Sequence, residues 1–196
     1  MSEEKHSPET TVVMDHEAIE AALRRIAQEI AAAHEAVANI ALLGILSRGR
    51  PLADRLADHI AAMTGARPRV GALATTLYRD DLRSGRVPGT VGSETHFDFD
   101  IDGMTLILVD DVIAAGRTIR AALDEVMDYG RPQRIQLACL VDRGLRELPI
   151  QPDYLGWTVA TALDDHVAVR VREVDGEDAV LLERGTGGGP EEEERV

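Results

Sequence analysis

Strands alternating with helices predict an α/β fold built on a twisted, mainly parallel sheet flanked by helices. Three observations carry that prediction. Short apolar runs occur at 40–45, 106–109 and 135–141, amphipathic helical segments separate them, and the most unusual loops follow the strands. A chain of 196 residues suits one domain with a substantial core. Aromatic residues make up only 3% of it, so that core must be mostly Leu, Ile, Val and Ala.

The elements follow in order. Ile19, Ala22, Leu23, Ile26, Ile30, Ala33 and Val37 fall on one helix face, with Asp15 a fair N-cap. A strand over Ile40 to Ile45 comes next, then a helix from about Pro51 to Met63. Pro51 suits a first helical turn, where its missing N–H is no loss. A second strand is expected over Val70 to Tyr78. The stretch from Asp81 to His96 has no periodicity and reads as a lid or binding loop. A strand from Leu106 to Val109, a helix over Arg117 to Tyr129 and a strand over Ile135 to Val141 complete the main pattern, with Gly130 and Pro132 marking the last junction. Val167 to Val171 and Ala179 to Leu182 read as short edge strands. Residues 1–10 and 185–196 are polar, Gly-rich or charged and are expected to be disordered tails around a folded unit over 11–184.

Ligands in open parallel sheets bind outside the carboxyl ends of the strands. The loops at 45–50, 110–118 and 142–149 are therefore expected to converge on one crevice. The segment LILVDDVIAAGRT, Leu106 to Thr118, is the most informative of them. A strand is followed by two acids, Asp110 and Asp111, then by a turn through Val112, Ile113, Ala114, Ala115, Gly116 and Arg117, and Thr118 opens a helix. Small residues let the backbone approach a ligand closely, and N–H groups at a helix N-terminus favour an anion. The acids would repel a phosphate but can accept hydrogen bonds from ribose hydroxyls. The segment therefore suits a phosphorylated sugar.

Composition excludes several classes. No apolar run approaches the roughly 18–20 residues of a membrane span, and no signal-peptide pattern is present, so a cytoplasmic location without membrane partners is expected. Of the net charge of −14, the tails carry −2 and −3, leaving −9 between them. That balance argues against non-specific nucleic-acid binding and against DNA as a partner. Cys139, the one cysteine, lies in an apolar run and reads as a buried small hydrophobe. The six histidines show no metal-ligand spacing, so no metal is expected on protein side chains.

LILVDDVIAAGRT resembles the phosphoribosyl-pyrophosphate (PRPP) motif of the type I phosphoribosyltransferases. GILSRGRPLADRL, TLYRDDL, YGRPQRIQLACLVDRGLRELPI and DYLGWTVAT resemble, in order, one branch of that superfamily. It is the pyrimidine-operon attenuator and uracil phosphoribosyltransferase family, PyrR, and the resemblance runs from about Val13 to Arg184. It implies a phosphoribosyltransferase fold with a small hood, and conversion of uracil and PRPP to UMP and pyrophosphate with Mg²⁺ carried by PRPP. It also implies a homo-dimer or tetramer.

Residue by residue, the resemblance makes Asp110 and Asp111 catalytic and places the 5′-phosphate on the turn from Val112 to Thr118. Ser47, Arg48 and Gly49 resemble a pyrophosphate loop, with Arg48 as a bidentate grip and Gly49 as a flexible link. Arg79 resembles a second anion contact, and Asp142 and Arg143 resemble part of the hood over the base. Each keeps a plainer reading: a surface turn for 47–49, solvated charges for Asp80 and Asp81, a turn ion pair for Asp142 and Arg143. Where the family has an aromatic then Thr before the glycine, this chain has Ala114 and Ala115. Loss of one hydroxyl–phosphate contact costs about 1.5–3 kcal/mol.

The family's attenuators also bind a leader RNA through a basic face. Arg24, Arg25, Arg55 and Arg146 persist as candidates for it, but Glu20, Ala21, Gln28, Leu145 and Trp157 stand where that face is usually basic or carries histidine. Weak RNA binding is therefore expected. The alternative is a uridine-nucleotide-sensing attenuator with little catalysis; a transferase for orotate or a purine fits the branch-specific segments less well.

Overall fold

A computed structural model describes residues 10–75 and 94–185. Arg79, Asp80, Asp81, the end of the second predicted strand and most of both tails lie outside the described residues. Five parallel strands form the central sheet: β2 (Ile40–Ile45), β3 (Arg69–Leu73), β4 (Thr105–Ile113), β5 (Arg134–Asp142) and β6 (Tyr154–Thr158). Their order is β3-β2-β4-β5-β6. Two faces are covered, as continuous apolar strands require. Ile40, Leu42, Ile107 and Val109 pack toward α1 (His16–Ala33) and α2 (Gly49–Thr64), whereas Ala41, Leu43, Leu106 and Leu108 pack toward α3 (Arg117–Tyr129). The alternation along each strand does this directly, because successive side chains leave on opposite faces.

The helices follow their local signals. Asp15 caps α1 by accepting the Ala18 N–H at 2.9 Å, and Ile19, Ala22, Leu23, Ile26, Ala27 and Ile30 form the buried face. The apolar period continues to Val37, but the helix stops at Ala33. His34 turns extended, its Nε2 lies 2.9 Å from Gln136 and 3.2 Å from the Tyr154 hydroxyl, and Val37 is buried from a short 3₁₀ turn instead. α2 begins at Gly49, two residues before the predicted start, and ends at Gly65 in the left-handed region (φ 75°).

The predicted edge strands lie in a different sheet. β7 (His166–Arg170) and β8 (Ala179–Glu183) join β1 (Thr10–Met14) in an antiparallel sheet of order β1-β8-β7, the hood. Only a short connection containing α4 (Arg172–Asp175) separates β7 from β8, so they pair locally and antiparallel. Val167, Val169, Val180 and Leu182 turn inward onto the α1–α2 core. Thr10 and Gly185, expected to lie in the tails, are in ordered contacts: Thr10 pairs with Glu183, and the Gly185 N–H donates to Asp165.

One buried arginine fastens the hood to the body. Arg55 on α2, 7% exposed, donates from Nε to Glu173 at 2.8 Å and from Nη2 and Nη1 to Asp178 at 2.8 and 3.0 Å. Its Nη1 also reaches Glu20 on α1 at 3.2 Å. His16 and His59 close the cluster through Asp178 and Glu20. Arg55 is therefore a structural tie; it does not contribute to an RNA-binding face. Its hydrogen bonds help hold Asp178, against the cost of burial, down to about 2.

Replacing Arg55 by Met is expected to cost about 3–5 kcal/mol in urea unfolding, because three carboxylates lose their counter-charge. Asp178 is depressed in the folded state, so as pH falls the unfolded chain takes up the proton first. The wild type is expected to lose this increment between about pH 4 and pH 2, and a series of unfolding midpoints against pH should be flatter in Arg55→Met over that window.

Candidate active site

The carboxyl ends of β2, β4 and β5 bring together most of the residues singled out by sequence. After β2 the chain passes a cis Leu46–Ser47 peptide, exposes Ser47 and enters α2. Gly49 is buried here. A Cβ on it would sit 2.3 Å from the Val109 carbonyl oxygen, and one on Gly44 would sit 2.3 Å from the Arg50 Cα. The expectation of a flexible link at Gly49 is thus corrected. Its missing side chain lets the loop lie directly against β4.

Arg48 projects from that fixed base. Its Nε and Nη2 donate to Asp175 of the hood at 2.9 and 2.8 Å. This pairing raises the arginine's affinity for its proton further, with a contribution from the charge of Asp111, and lowers the Asp175 carboxyl. Asp175 carried no motif in the sequence, and nothing local could have found it 127 positions away.

β4 does not end at Val109 as predicted. It continues through both acids to Ile113, because β5 stays in register with it from Thr105↔Arg134 to Ile113↔Asp142. The acid pair is consequently held by the sheet itself. Asp110 is 5% exposed and accepts the Asp111 N–H at 3.0 Å; Asp111 is half-buried and accepts the Val112 N–H at 2.9 Å. Burial pushes the Asp111 carboxyl above its usual value, against the Val112 N–H, Asp110 and Arg48. Cys139, paired with Asp110 across the ladder, is buried, and burial beside these acids raises its thiol well above the usual value.

The turn that follows is braced from outside. Gly116 takes φ 92° at the start of α3, a conformation that disfavours other residues. The first N–H groups of an α-helix have no acceptor within the helix, and an N-terminus of this kind favours an anion. The carbonyls of the turn are tied back instead. Ala114 accepts from Arg146 at 2.9 Å, and Ala115 accepts the N–H groups of Glu147 and Leu148 at 3.1 Å. Arg117 bonds to Glu147, Thr118 is half-buried in the first helical turn, and Val112 packs against the α1–α2 core.

Arg146 is the organiser of this brace. Its Nη1 and Nη2 grip Asp142 at 2.9 and 2.6 Å, its Nε donates to the Ile150 carbonyl at 2.8 Å, and Nη1 also reaches the Gly144 carbonyl. Two expectations change. Arg146 is largely buried with its guanidinium engaged inside the molecule, and the Asp142 carboxylate is engaged by Arg146 and the Gly144 N–H rather than open to a base. Arg143 does lie between β5 and the hood side, donating to Thr161 Oγ1 at 3.3 Å and to the Ala162 carbonyl at 3.2 Å. Arg25 bonds to Glu29 and to the carbonyls of Leu155 and Gly156, and Arg24 is exposed on α1. Among the described residues, one group, His16, Glu20 and Asp178, has metal-compatible spacing, but both its carboxylates bond to Arg55.

The family model described as the phosphoribosyl transferase domain matches residues 9–172. The fold agrees. A hypoxanthine-guanine phosphoribosyltransferase from Bacillus anthracis superposes with a TM-score of 0.64 at 16% identity, over 89% of this chain and 98% of that one. The hypoxanthine phosphoribosyl transferase of Trypanosoma cruzi gives 0.65 at 15% identity, over 93% and 95%. Family model and fold together define a type I phosphoribosyltransferase. Curated relatives narrow this further. The bifunctional protein PyrR of Chloroflexus aurantiacus is 50% identical over 174 residues, 89% of this chain and 95% of the relative. That of Thermus aquaticus is 52% identical over 162 residues, 82% and 88% respectively. The chain belongs to the PyrR family.

Arg146→Met is expected to loosen the anion turn and leave Asp142 uncompensated. Stability in urea should fall by about 3 kcal/mol. Calorimetry with UMP or PRPP should show at least a ten-fold loss of affinity, although the Arg146 bond to this turn is to the Ala114 carbonyl.

Proposed function

We propose that this chain, acting as one domain over 11–184 in the cytoplasm, transfers phosphoribose from PRPP to uracil, giving UMP and pyrophosphate. The observation that carries this reading is the acid pair held inside β4 next to an anion turn whose carbonyls are tied back, in a chain half-identical to bifunctional PyrR proteins over most of its length.

In this reading the N–H groups of the 114–118 turn, with Thr118, hold the 5′-phosphate. Ala114 and Ala115 offer no hydroxyl there, so the backbone carries the contact. A ring nitrogen of uracil attacks C1 of the ribose as the C1–O bond to pyrophosphate breaks, and that nitrogen gives up its proton. Positive charge grows on the ribose ring and negative charge on the leaving group. Asp110 and Asp111 face the ribose hydroxyls and steady the ring charge, and their fixed orientation in the strand removes the cost of turning them at the moment of reaction. Arg48 and Ser47 receive the pyrophosphate, with Arg79 as a second contact. Arg143, tied to Thr161 and Ala162, shapes the hood side where the base enters. Hard carboxylate oxygens suit Mg²⁺, and the half-buried Asp111 fits an ion that is held chiefly by PRPP. When bound, that ion would neutralise the leaving group's charge. A homo-dimer or tetramer is the proposed assembly.

Asp111→Asn keeps the shape and removes the charge. A fall of at least about a hundred-fold in kcat for UMP formation is expected, assayed from uracil and PRPP with Mg²⁺ beside orotate and hypoxanthine controls. Unchanged turnover in a folded variant would remove Asp111 from the mechanism.

RNA binding is proposed to be weak. Arg55 and Arg146, two of the four candidate cations, lie inside ion pairs, and Arg25 is bonded to β6. A fluorescence titration with a pyrimidine-operon leader hairpin is expected to give a Kd above micromolar near physiological salt, with a shallow salt dependence because few phosphates are neutralised. Nanomolar binding that depends on a uridine nucleotide would instead favour the attenuator reading.

A further inference from the structure

Arg48 stands at the crevice already oriented. Asp175 takes one edge of its guanidinium, Nε and Nη2, while among the described residues Nη1 is not engaged. The charge of Asp111 acts on Arg48 from the acid-pair side. The carboxylate that holds Arg48 is itself fixed. Asp175 Oδ2 accepts the Val171 N–H at 2.8 Å from within the same turn. Two residues back, Glu173 grips Arg55 on α2, so α4 is docked at a second arginine and has little freedom to drift.

We propose that Asp175 is a positioning residue for the leaving group: it holds Arg48 so that the free edge of the guanidinium faces pyrophosphate. This rests on the reading of 47–49 as the pyrophosphate loop. The physical reason is preorganisation. A long arginine side chain loses considerable rotamer freedom when it grips an anion, and one fixed beforehand loses less. The opposite effect also exists, since the negative charge of Asp175 repels an anion and competes for the guanidinium. The two effects differ in sign, so a binding measurement decides between them.

The test is calorimetric binding of inorganic pyrophosphate with Mg²⁺, and separately of UMP, to the wild type, Asp175→Asn, Arg48→Ala and the double variant. Asp175→Asn is expected to weaken pyrophosphate three- to ten-fold and to leave UMP, which has no pyrophosphate, within two-fold. In the Arg48→Ala background the same change is expected to cost nothing more. Tighter pyrophosphate binding by Asp175→Asn would make Asp175 a competitor and overturn the proposal, as would a further loss in the double variant. Glu173→Gln is expected to leave pyrophosphate within two-fold; a loss equal to that of Asp175→Asn would assign the effect to general loosening of α4. If Asp175→Asn does not fold, Asp175→Glu moves the carboxylate by one methylene and serves instead. Weaker pyrophosphate with unchanged UMP then supports the proposal, and unchanged or tighter pyrophosphate overturns it. An Arg48→Ala variant that binds pyrophosphate like the wild type would overturn the assignment of the loop itself, an outcome distinct from failure at Asp175 alone.

Discussion

At the end of β5 the carboxylate of Asp142 meets the guanidinium of Arg146, four residues on, through two hydrogen bonds of 2.9 and 2.6 Å. The crevice depends on this pair. From there the same guanidinium reaches the carbonyls of Ala114, Gly144 and Ile150, so one side chain sets the shape of the 142–150 segment and fixes the anion turn against it. The Ala114 and Ala115 carbonyls face the brace, which in the proposed reading turns the N–H side toward the ligand. A turn without hydroxyl side chains at 114 and 115 relies on its backbone, and a backbone site is only as good as the rigidity behind it.

The same device recurs through the molecule. Arg48 is held by Asp175, Arg55 by Glu173, Asp178 and Glu20, and Arg146 by Asp142. Planar forks on carboxylates give direction as well as attraction, which suits joints between a hood and a body that share little regular structure. Two of these joints involve α4, a single helical turn that anchors both the start of α2 and a point within it. The hood, the 47–49 loop and the first two helices therefore form one electrostatically linked unit.

Acidic residues outnumber basic ones by nine between the tails, and Arg55 and Arg146 are turned inward onto carboxylates. Arg55 and Arg146, which read in sequence as remnants of a basic face, fasten the fold, while Arg24 stays exposed on α1. Under the proposed reading the anionic ligand is met by a local arrangement, Arg48 and a helix N-terminus, rather than by a general positive field.

Much of the fold was legible in the chain. The buried runs of β2, β4 and β5, the cap at Asp15 and the bounds of α3 follow from apolar periodicity and local hydrogen bonding, interactions between residues a few positions apart. The acid pair and the small-residue turn were visible for the same reason, since the chemistry lies in consecutive residues. Tertiary structure alone decided the rest. It carried β4 through Asp110 and Asp111 because β5 lies alongside, and it moved β7 and β8 into the hood because a short connection makes antiparallel pairing the nearest option. It turned Gly49 from a hinge into a contact surface, and it gave Arg48 and Arg55 their carboxylates more than a hundred positions away. Period and local capping are written in neighbouring residues, whereas the partner of a side chain is chosen only when distant segments are brought into contact.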